Sequence, residues 1–343
     1  MTDFTRLPDL AVRTFGGSVV AANDEFFAEK ENLVKAGPSL FQAHTFGHKG
    51  QLYDGWETRR RREPGHDWAI VRLGLPGVIR AVVVDTAHFT GNYPTYASVD
   101  ACAAEGYPSP EELTAAEWVE IVPKSPLGGD TAHVLAVSVD RRFTHVRLNI
   151  FPDGGVARVR VHGEVVPDPR LLTGLPLDLA ALEHGGLVTA CSNMFYSTPN
   201  NLISPGLAQV MGDGWETSRR RFTERWEESN DWVTVQLAAP GVVRLAELDT
   251  THFRGNAPGA AALSGLRPGA SSDDQDAWFE LLPRTRLQPD TRHRFPLRTD
   301  RPASHVRMDV YPDGGMARLR LYGDLTPDGA AALRQRYVDA VNF

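Results

Sequence analysis

Two stretches of the sequence mix apolar and polar side chains in the way that half-buried strands do. In Trp68–Leu73, β-branched and aromatic residues are interleaved with polar ones, and the run Val78–Val84 is rich in β-branched residues. Pro76-Gly77 stands between them and predicts a turn. The pattern returns in the second half of the chain, in the segments Trp232–Leu237, Pro240-Gly241 and Val242–Leu248. Each half is therefore expected to contain this pair of strands.

Alternation with a period of two continues further along each half. Residues 146–150 and 156–161 place apolar side chains at every second or third position. Asp153-Gly154-Gly155 lies between these runs and predicts a hairpin connection, as Asp313-Gly314-Gly315 does in the second half. The alanine-rich tail from Pro327 predicts a helix. Many short strands with few helices predict an all-β protein with two tandem homologous jelly-roll β-sandwich domains and a short C-terminal helix.

The chain contains a long internal repeat. Three motifs of the first half return 159, 164 and 160 residues later, and the changes in spacing mark loop insertions. The three pairs are Asp54–Thr58 with Asp213–Thr217, Asp85–Asn92 with Asp249–Asn256, and His145–Gly155 with His305–Gly315. A period of this length exceeds that of solenoid repeats, so each copy is expected to be a complete domain with its own core. We predict a first domain over 1–170, a linker over 171–186 and a second domain over 187–343.

Composition and charge narrow the possible functions. Hydrophobic residues make up 42% and charged residues 23% of the chain, as in globular proteins with a packed core. The net charge of −7 argues against nucleic-acid binding, which depends on clustered Lys and Arg. No apolar run has the length of a signal peptide or a membrane span, so we expect no membrane association and a cytoplasmic location. Cys102 and Cys191 occupy unrelated places in the two copies, which argues against a disulfide framework.

Three motifs together resemble those of the allantoicase family. They are Asp-Gly-Trp-Glu-Thr-x-Arg-Arg, the Asp-Trp that opens the following strand, and Asp-Thr-x-His-Phe-x-Gly-Asn, each present in both copies. The resemblance covers nearly the whole chain and implies two galactose-binding-like jelly-roll domains that assemble into a homo-oligomer. It also implies that the substrate is allantoate, hydrolysed to ureidoglycolate and urea in purine degradation. The first copy keeps the family's Gly-Asn-Tyr-Pro at Gly91–Pro94, whereas Ala257 replaces the tyrosine in the second copy.

The histidine motif offers side chains for proton transfer. An imidazole titrates near neutral pH, and a regular strand end would place Thr86 and His88 on the same face. The candidate catalytic residues are a histidine, an aspartate and a glutamate from each copy: His88, Asp85 and Glu57, and His252, Asp249 and Glu216. In this assignment the histidine and aspartate transfer protons and the glutamate supplies a second carboxyl group. The structural alternative for each histidine is a hydrogen bond to the backbone.

Guanidinium and amide groups suit the substrate that the resemblance implies. Allantoate carries a carboxylate, which a guanidinium binds in bidentate fashion. The candidate substrate-binding residues are Arg60, Asn92, Arg220, Arg254 and Asn256. The alternative for each arginine is an ion pair with a neighbouring carboxylate or a place at a domain interface.

The sequence predicts neither a metal ion nor a cofactor. His44 and His48 have the i, i+4 spacing of some helical metal sites, but Gly47 argues against a helix and the second copy lacks the pair. Other histidines and the cysteines do not have the spacing of a metal site. The chain also has no P-loop and no nucleophile-elbow serine.

A second class of function is compatible with tandem sandwich domains. It is a non-catalytic module that binds a sugar or another small polar ligand. Ionisable side chains that recur together in both copies favour the enzyme, because a sugar platform more typically presents exposed aromatic rings. A purely structural subunit is a third class, and it would neither release urea nor bind a ligand. Release of urea from allantoate separates the enzyme from the other two classes, and ligand binding separates those two from each other.

Overall fold

A computed structural model describes residues 4–41, 44–47, 50–51, 53–220 and 229–342. The chain divides into two compact units, the first containing residues up to Val166 and the second spanning Pro167–Val338. Both are built mainly from antiparallel strands, which confirms the predicted all-β class with two tandem repeats. Within the described residues, no helix is long and apolar enough to cross a membrane.

The described strands have the following bounds. In the first repeat they are β1 (Ser18–Ala22), β2 (Phe46–Gly47), β3 (Gly50–Gln51), β4 (Trp56–Glu57), β5 (Asp67–Asp85), β6 (Tyr96–Cys102), β7 (Val119–Pro126), β8 (Ala132–Ala136), β9 (Arg142–Phe151), β10 (Gly155–Val156) and β11 (Arg158–Val165). In the second repeat they are β12 (Leu177–Asp178), β13 (Leu187–Cys191), β14 (Trp215–Glu216), β15 (Asp231–Asp249), β16 (Ala260–Leu266), β17 (Trp278–Arg286), β18 (Arg292–Pro296), β19 (Ala303–Tyr311), β20 (Gly315–Met316) and β21 (Arg318–Leu325).

The described helices are short except for the last. The α-helices are α1 (Pro110–Thr114) and α2 (Pro327–Val341). The 3-10 helices are Phe4–Arg6, Arg13–Phe15, Lys30–Val34, Pro169–Leu171, Leu182–His184, Pro199–Ile203, Met211–Asp213 and Gln275–Ala277. The C-terminal helix predicted from Pro327 is confirmed. Its Leu333 is buried, whereas Val338 is exposed.

The long strand β5 runs through both layers of the first repeat, and its pairings join their strands into one seven-stranded hydrogen-bonded network. Its first part pairs with β1 and β9, in a sheet ordered β1-β5-β9-β6-β7. Its second part pairs with β11 on one side and β8 on the other. The turn predicted at Pro76-Gly77 is therefore wrong, because the chain continues through these residues as one strand. A Cβ atom on Gly77 would overlap the carbonyl oxygen of Glu164, so glycine is needed for close pairing with β11.

The core of the first repeat lies between the two sheets. From β9 it receives Val146, Leu148 and Ile150, which are fully buried. From β11 it receives Val159 and Val161, which are also fully buried. Each such side chain contributes about 1.5–3 kcal/mol relative to an exposed position. The polar residues between them point to the opposite faces, as the alternation in the sequence predicts.

The Asp-Gly-Gly motif does not form a hairpin, so that prediction is wrong. Strands β9 and β11 pair with parts of β5 that overlap only at Gly77 and Val78, and the described residues show no pairing between β9 and β11 themselves. Between them Gly154 takes a left-handed backbone conformation, and β10 pairs with β4, so that Gly155 lies opposite Glu57. A Cβ atom on Gly155 would overlap the ring of Phe89. The motif connects the two layers of the sandwich. This connecting segment, Asp153–Gly155, is called the crossing below, and β4 pairs next to it.

The second repeat has the same plan. The long strand β15 pairs with β13 and β19 through its first part and with β21 and β18 through its second part. Strand β14 pairs with β20, as β4 does with β10. Residues 171–186, predicted as a linker, include strand β12, which pairs with Tyr322 and Gly323 of β21.

Candidate active site

Glu57 lies in a buried position on the short strand β4. Its side-chain Oε1 accepts a hydrogen bond of 2.7 Å from Asn92 Nδ2. Its Oε2 atom is buried and has no hydrogen-bond partner among the described residues. The residue is 8% exposed, and burial raises the pKa of its carboxyl group above the usual value for glutamate. A carboxyl group in this environment favours the protonated form more than an exposed one does.

Asn92 is fixed to the crossing between the sheets. Its backbone oxygen accepts a hydrogen bond of 2.7 Å from the backbone amide of Gly155, the residue that faces Glu57 in the β4-β10 ladder. Trp56, the neighbour of Glu57, is fully buried and donates from Nε1 to the carbonyl oxygen of Asp24 at 2.7 Å. These contacts hold the carboxyl group and its amide partner in one arrangement.

His88 lies in a left-handed turn that begins where β5 ends. Strand β5 stops at Asp85, so the predicted alternation of Thr86 and His88 on a strand face is wrong. The backbone of His88 has φ 69°, a conformation uncommon for residues other than glycine. Its amide donates to Asp130 Oδ1 at 2.8 Å. Its Nε2 lies 3.1 Å from the carbonyl oxygen of Ser39.

The bond to Ser39 assigns the imidazole tautomer. A carbonyl oxygen only accepts hydrogen bonds, so Nε2 of His88 carries the hydrogen. In the neutral ring Nδ1 is then the basic nitrogen. The ring centroid of Phe41 lies 5.7 Å from that of His88. The imidazole is therefore held through Nε2, and Nδ1 is the nitrogen with a free lone pair.

The second repeat reproduces these contacts. Asn256 Nδ2 donates to Glu216 Oε1 at 2.6 Å. His252 has φ 72°, its amide donates to Asp290 Oδ1 at 2.8 Å, and its Nε2 lies 3.1 Å from the carbonyl oxygen of Ala208. Glu216 is only partly buried, however, whereas Glu57 is buried. The two copies thus share a geometry but differ in how far the carboxyl group is removed from water.

The aspartates Asp85 and Asp249 stabilise turns. Asp85 Oδ1 accepts from the amide of Ala87 at 2.9 Å. Asp249 Oδ1 accepts from the amide and the hydroxyl of Thr251, at 2.8 and 2.5 Å. Among the described residues, the carboxylates bonded to the two histidine amides are those of Asp130 and Asp290 instead. The sequence carried a signal for them, since an Asp-Thr pair recurs at 130–131 and 290–291.

The candidate arginines lie in three different environments. Arg60 is exposed, and no hydrogen bond of its side chain is found among the described residues. Its counterpart by repeat spacing is Arg219, since Arg220 corresponds to Arg61. Arg220 donates to Asp231 Oδ1 at 2.6 Å, as Arg61 does to the equivalent carboxylate of the first repeat at 2.7 Å. Arg254 is 82% exposed in its side chain and pairs with Asp290, the carboxylate that also holds His252, at 3.1 Å.

A buried ion pair that the sequence reasoning missed supports the loop next to His88. Arg158 donates to Asp54 Oδ2 at 2.7 Å and to the carbonyl oxygens of Gly37 and Pro38, which adjoin Ser39. Burial opposes ionisation of Asp54, but hydrogen bonds from Arg158, Lys35 and a backbone amide outweigh it and lower its pKa to about 2. Arg158 thus fixes the segment whose carbonyl oxygen accepts from the imidazole.

Exposed apolar side chains lie on the segments that precede β4 and β14 in the two repeats. In the first repeat they are Phe26, Phe27, Leu40, Phe41 and Phe46. In the second repeat they are Phe195, Tyr196, Leu207, Val210 and Met211. The backbone amide of Phe27 donates to the carbonyl oxygen of Glu57 at 3.2 Å, so one of these apolar residues adjoins the backbone of Glu57.

Neither copy shows a metal-binding cluster in the part of the chain that the structure describes. No group of three or more His, Cys, Asp or Glu side chains there is arranged to hold a metal ion. His44 has a left-handed backbone conformation. His48, its partner in the spacing noted above, lies outside the described residues.

Comparison with known proteins identifies both repeats. Residues 8–166 and 177–326 each match the family model described as the allantoicase repeat. A "Probable allantoicase" of Nocardia farcinica is 55% identical, and the match covers 94% of this chain and 95% of that protein. A "Probable allantoicase" of Streptomyces avermitilis is 52% identical, with 97% and 90% covered. The "Allantoicase" of Dictyostelium discoideum is 42% identical, with 89% and 84% covered.

The crystal structure of allantoicase from Saccharomyces cerevisiae is similar over both repeats. It superposes with a TM-score of 0.78 at 33% sequence identity, and the match covers 93% of each chain. This similarity agrees with the two-sandwich architecture predicted from the sequence.

Proposed function

The chain belongs to the allantoicase family, whose reaction hydrolyses allantoate to ureidoglycolate and urea, and we propose that its chemistry takes place in the first repeat beside Glu57. The observation that carries this proposal is the buried carboxyl group, bonded to Asn92 through one oxygen and without a partner at the other. A buried polar atom without a partner is uncommon in folded proteins and points to a function for the group.

Glu57 is proposed as the general acid. Allantoate holds two ureido groups on the carbon next to its carboxylate, and one of them departs as urea. When the C–N bond breaks, its electron pair goes to the departing nitrogen, which takes a proton from the carboxyl group of Glu57. Asn92 donates to Oε1 and so favours placing that proton on Oε2. The raised pKa of Glu57 increases the protonated fraction that this step needs.

His88 is proposed as the general base. The oxygen of a water molecule forms the new C–O bond, and the water proton goes to Nδ1 of His88. Return of a proton to Glu57 and loss of one from His88 through solvent complete the cycle. Asp130 orients the turn that carries the histidine, whereas Asp85 stabilises the beginning of the same turn.

Arg60 and Asn92 are proposed to orient the substrate in the first repeat. Arg60 has no side-chain bond within the described part of the chain, so its guanidinium is available for the carboxylate of allantoate. Asn256, Arg220 and Arg254 are the candidates for substrate binding in the second repeat. Of these, Arg220 is already engaged by a buried carboxylate and is the least suited to bind substrate.

The second repeat is proposed to be less active or inactive. Glu216 is less buried than Glu57, and Ala257 stands where the first copy has Tyr93. His252 and Asp249 retain the backbone geometry of the first copy. The family resemblance further favours a cytoplasmic homo-oligomer without a cofactor.

Paired substitutions test the assignment of the first repeat. Purified protein is mixed with allantoate and released urea is measured by colorimetry. Glu57→Gln keeps the side-chain shape and an oxygen for Asn92 but removes the acidic proton, so kcat is expected to fall by about 10²–10⁴-fold. Glu216→Gln is the matched control and is expected to change kcat by less than about threefold. Equal losses in both variants, or a loss in Glu216→Gln alone, would contradict the assignment.

The binding-module alternative predicts a different result. Such a protein releases no urea from allantoate, whichever variant is assayed. In the enzyme, by contrast, the wild-type rate declines as pH rises through the raised pKa of Glu57, because the acid loses its proton.

A further inference from the structure

The outward face of the large sheet has equivalent residues in the two repeats. In β19 the core receives Val306 and Met308, whereas His305, Arg307 and Asp309 point to the opposite face. The equivalent residues of the first repeat are on β9, where Asn149 takes the place of Asp309. The same face therefore carries related side chains in both copies.

In the first repeat this face is filled by apolar side chains. Leu113 of helix α1 is fully buried there and forms a cluster with Ile70 and Cys102. Trp68 and Trp118 pack against that cluster. Arg147 donates to Asp100 Oδ2 on the neighbouring strand β6 at 2.8 Å.

In the second repeat the same face contains a pocket of about 690 Å³. Thr234 replaces Ile70 by strand register, and the smaller Ser264 replaces Asp100. The single 3-10 turn Gln275–Ala277 lies where the first repeat has helix α1. The pocket is lined by Trp232, Thr234, Ser264, Trp278, Arg307 and Asp309, with further hydroxyl and amide groups around them. Its volume lies within the range of small-molecule binding sites.

The pocket has no net positive charge, because Arg307 is paired with Asp309 and Asp273 adds a second carboxylate to the lining. Arg307 donates from Nε and Nη2 to Asp309 Oδ1, at 3.0 and 2.8 Å, and Asn230 Nδ2 donates to the same oxygen at 2.6 Å. Oδ2 of Asp309 has no donor among the described residues. Burial lowers the pKa of His305, which keeps its ring neutral at pH 7. The pocket thus has no free cation for a carboxylate such as that of allantoate, and it offers an acceptor instead.

The remaining lining groups suit hydroxyl-bearing rings. The guanidinium carbon of Arg307 lies over the ring of Trp232, 4.7 Å from its centroid. Trp278 therefore provides the aromatic surface that a ligand can contact. Hydroxyl groups of Thr234, Ser264 and Ser272 both donate and accept hydrogen bonds, which matches a ligand whose own groups do the same.

We propose that this pocket of the second repeat binds an uncharged cyclic polyol of monosaccharide size, at a site separate from the one that hydrolyses allantoate. Hydroxyl groups of the ligand donate to Asp309 Oδ2 and exchange hydrogen bonds with Thr234 and Ser264, while an apolar ring face packs on Trp278. At the equivalent face of the first repeat, Leu113 and its neighbours occupy this space.

Direct binding measurements on the full chain test this proposal. The probes are D-glucose, D-galactose, D-mannose and myo-inositol, added up to 50 mM, roughly the upper end of weak small-molecule binding. Binding is followed by saturation-transfer NMR and by tryptophan fluorescence. We expect saturation transfer to at least one probe and a saturable fluorescence change.

Three variants locate the binding site. Asp309→Asn and Thr234→Ile each introduce the residue found at the equivalent position of the first repeat. Asp309→Asn removes a charge-assisted hydrogen bond to the ligand, and Thr234→Ile fills part of the pocket. Each is expected to weaken binding about tenfold or more. Asp324→Asn changes an exposed carboxylate of the same repeat outside the pocket and is expected to leave binding unchanged. Urea release from allantoate is expected to stay at the wild-type rate in all three.

Each other outcome overturns the proposal. If the wild-type protein shows no saturation transfer to any probe, the proposal is refuted, whether or not the variants fold. Binding that is equal in Asp309→Asn, Thr234→Ile and wild type places the ligand elsewhere. Loss of urea release in Asp309→Asn, with normal release in Glu57→Gln, would make the pocket the site of hydrolysis and would refute both assignments together.

Discussion

The ion pair between Asp54 and Arg158 allows a stability prediction with a defined pH dependence. Asp54→Asn keeps the side-chain shape but removes the charge. The pKa of Asp54 falls from 3.8 to about 2 in the folded protein, which corresponds to about 2 kcal/mol at most. Its side chain is 18% exposed, and screening by water reduces the expected effect to about 1 kcal/mol.

The direction follows from the lowered pKa. Stability from the ionised carboxylate is fully present above the unfolded-state pKa of about 4 and is lost as pH falls through the folded-state pKa near 2. Urea unfolding of wild type and Asp54→Asn, followed by fluorescence from pH 7 to pH 3, should therefore show a difference of about 1 kcal/mol at neutral pH that shrinks in acid. A difference that stays constant over this range would refute the electrostatic explanation.

The second repeat provides the matched control. Asp213 is the counterpart of Asp54, but its side chain accepts from the backbone amides of Gln209 and Val210, at 2.8 and 3.2 Å. Within the described part of the chain, Arg318 donates to the backbone oxygen of Asp213 and not to its carboxylate. Asp213→Asn is therefore expected to change the unfolding free energy by less than about 0.5 kcal/mol, since a turn-capping asparagine serves nearly as well.

Three further predictions concern the turn, the crossing and the arginines. Asp130→Ala removes the acceptor for the backbone amide of His88 and is expected to lower kcat for urea release. Asp130→Asn keeps an acceptor oxygen and should retain most of the wild-type kcat. Equal activities of the two variants would contradict this role of Asp130. Gly155→Ala forces a methyl group into a buried aromatic ring and should lower the unfolding free energy by about 1–3 kcal/mol, seen as a lower Tm. Arg61→Leu removes the charged partner of the buried Asp67, which retains a hydrogen bond from Asn23, and should lower the unfolding free energy by about 3–5 kcal/mol. Arg60→Ala should leave Tm unchanged and raise KM for allantoate, and the reverse result would exchange the roles of the two arginines.

Local sequence patterns predicted the repeat and the strand content well. The alternation around residues 146–150 reflects burial of one face, a property that each strand carries in its own composition. The pairing of Glu57 with Asn92 was within reach too, because both lie in motifs that recur in the second half. Side chains that recur together proved a good guide to which groups meet.

Features that depend on distant contacts were not predictable from local patterns. Pro76-Gly77 has the composition of a turn, but pairing with β11 holds it in an extended strand. Asp130 reaches the His88 amide over 42 residues of chain, and Arg158 reaches Asp54 over 104 residues. The proximity of such groups is decided by how the sheets stack, which no window of neighbouring residues reveals.

The strand β5 has a consequence for how each repeat assembles and comes apart. Because one continuous stretch of main chain runs through both layers, a rupture that starts in either layer reaches the other along the same backbone. Three of its partners, β8, β9 and β11, come later in the chain, the last ending at Val165. Closure of the first repeat must therefore wait until nearly all of it has been synthesised, and the two layers are gained and lost as one cooperative unit.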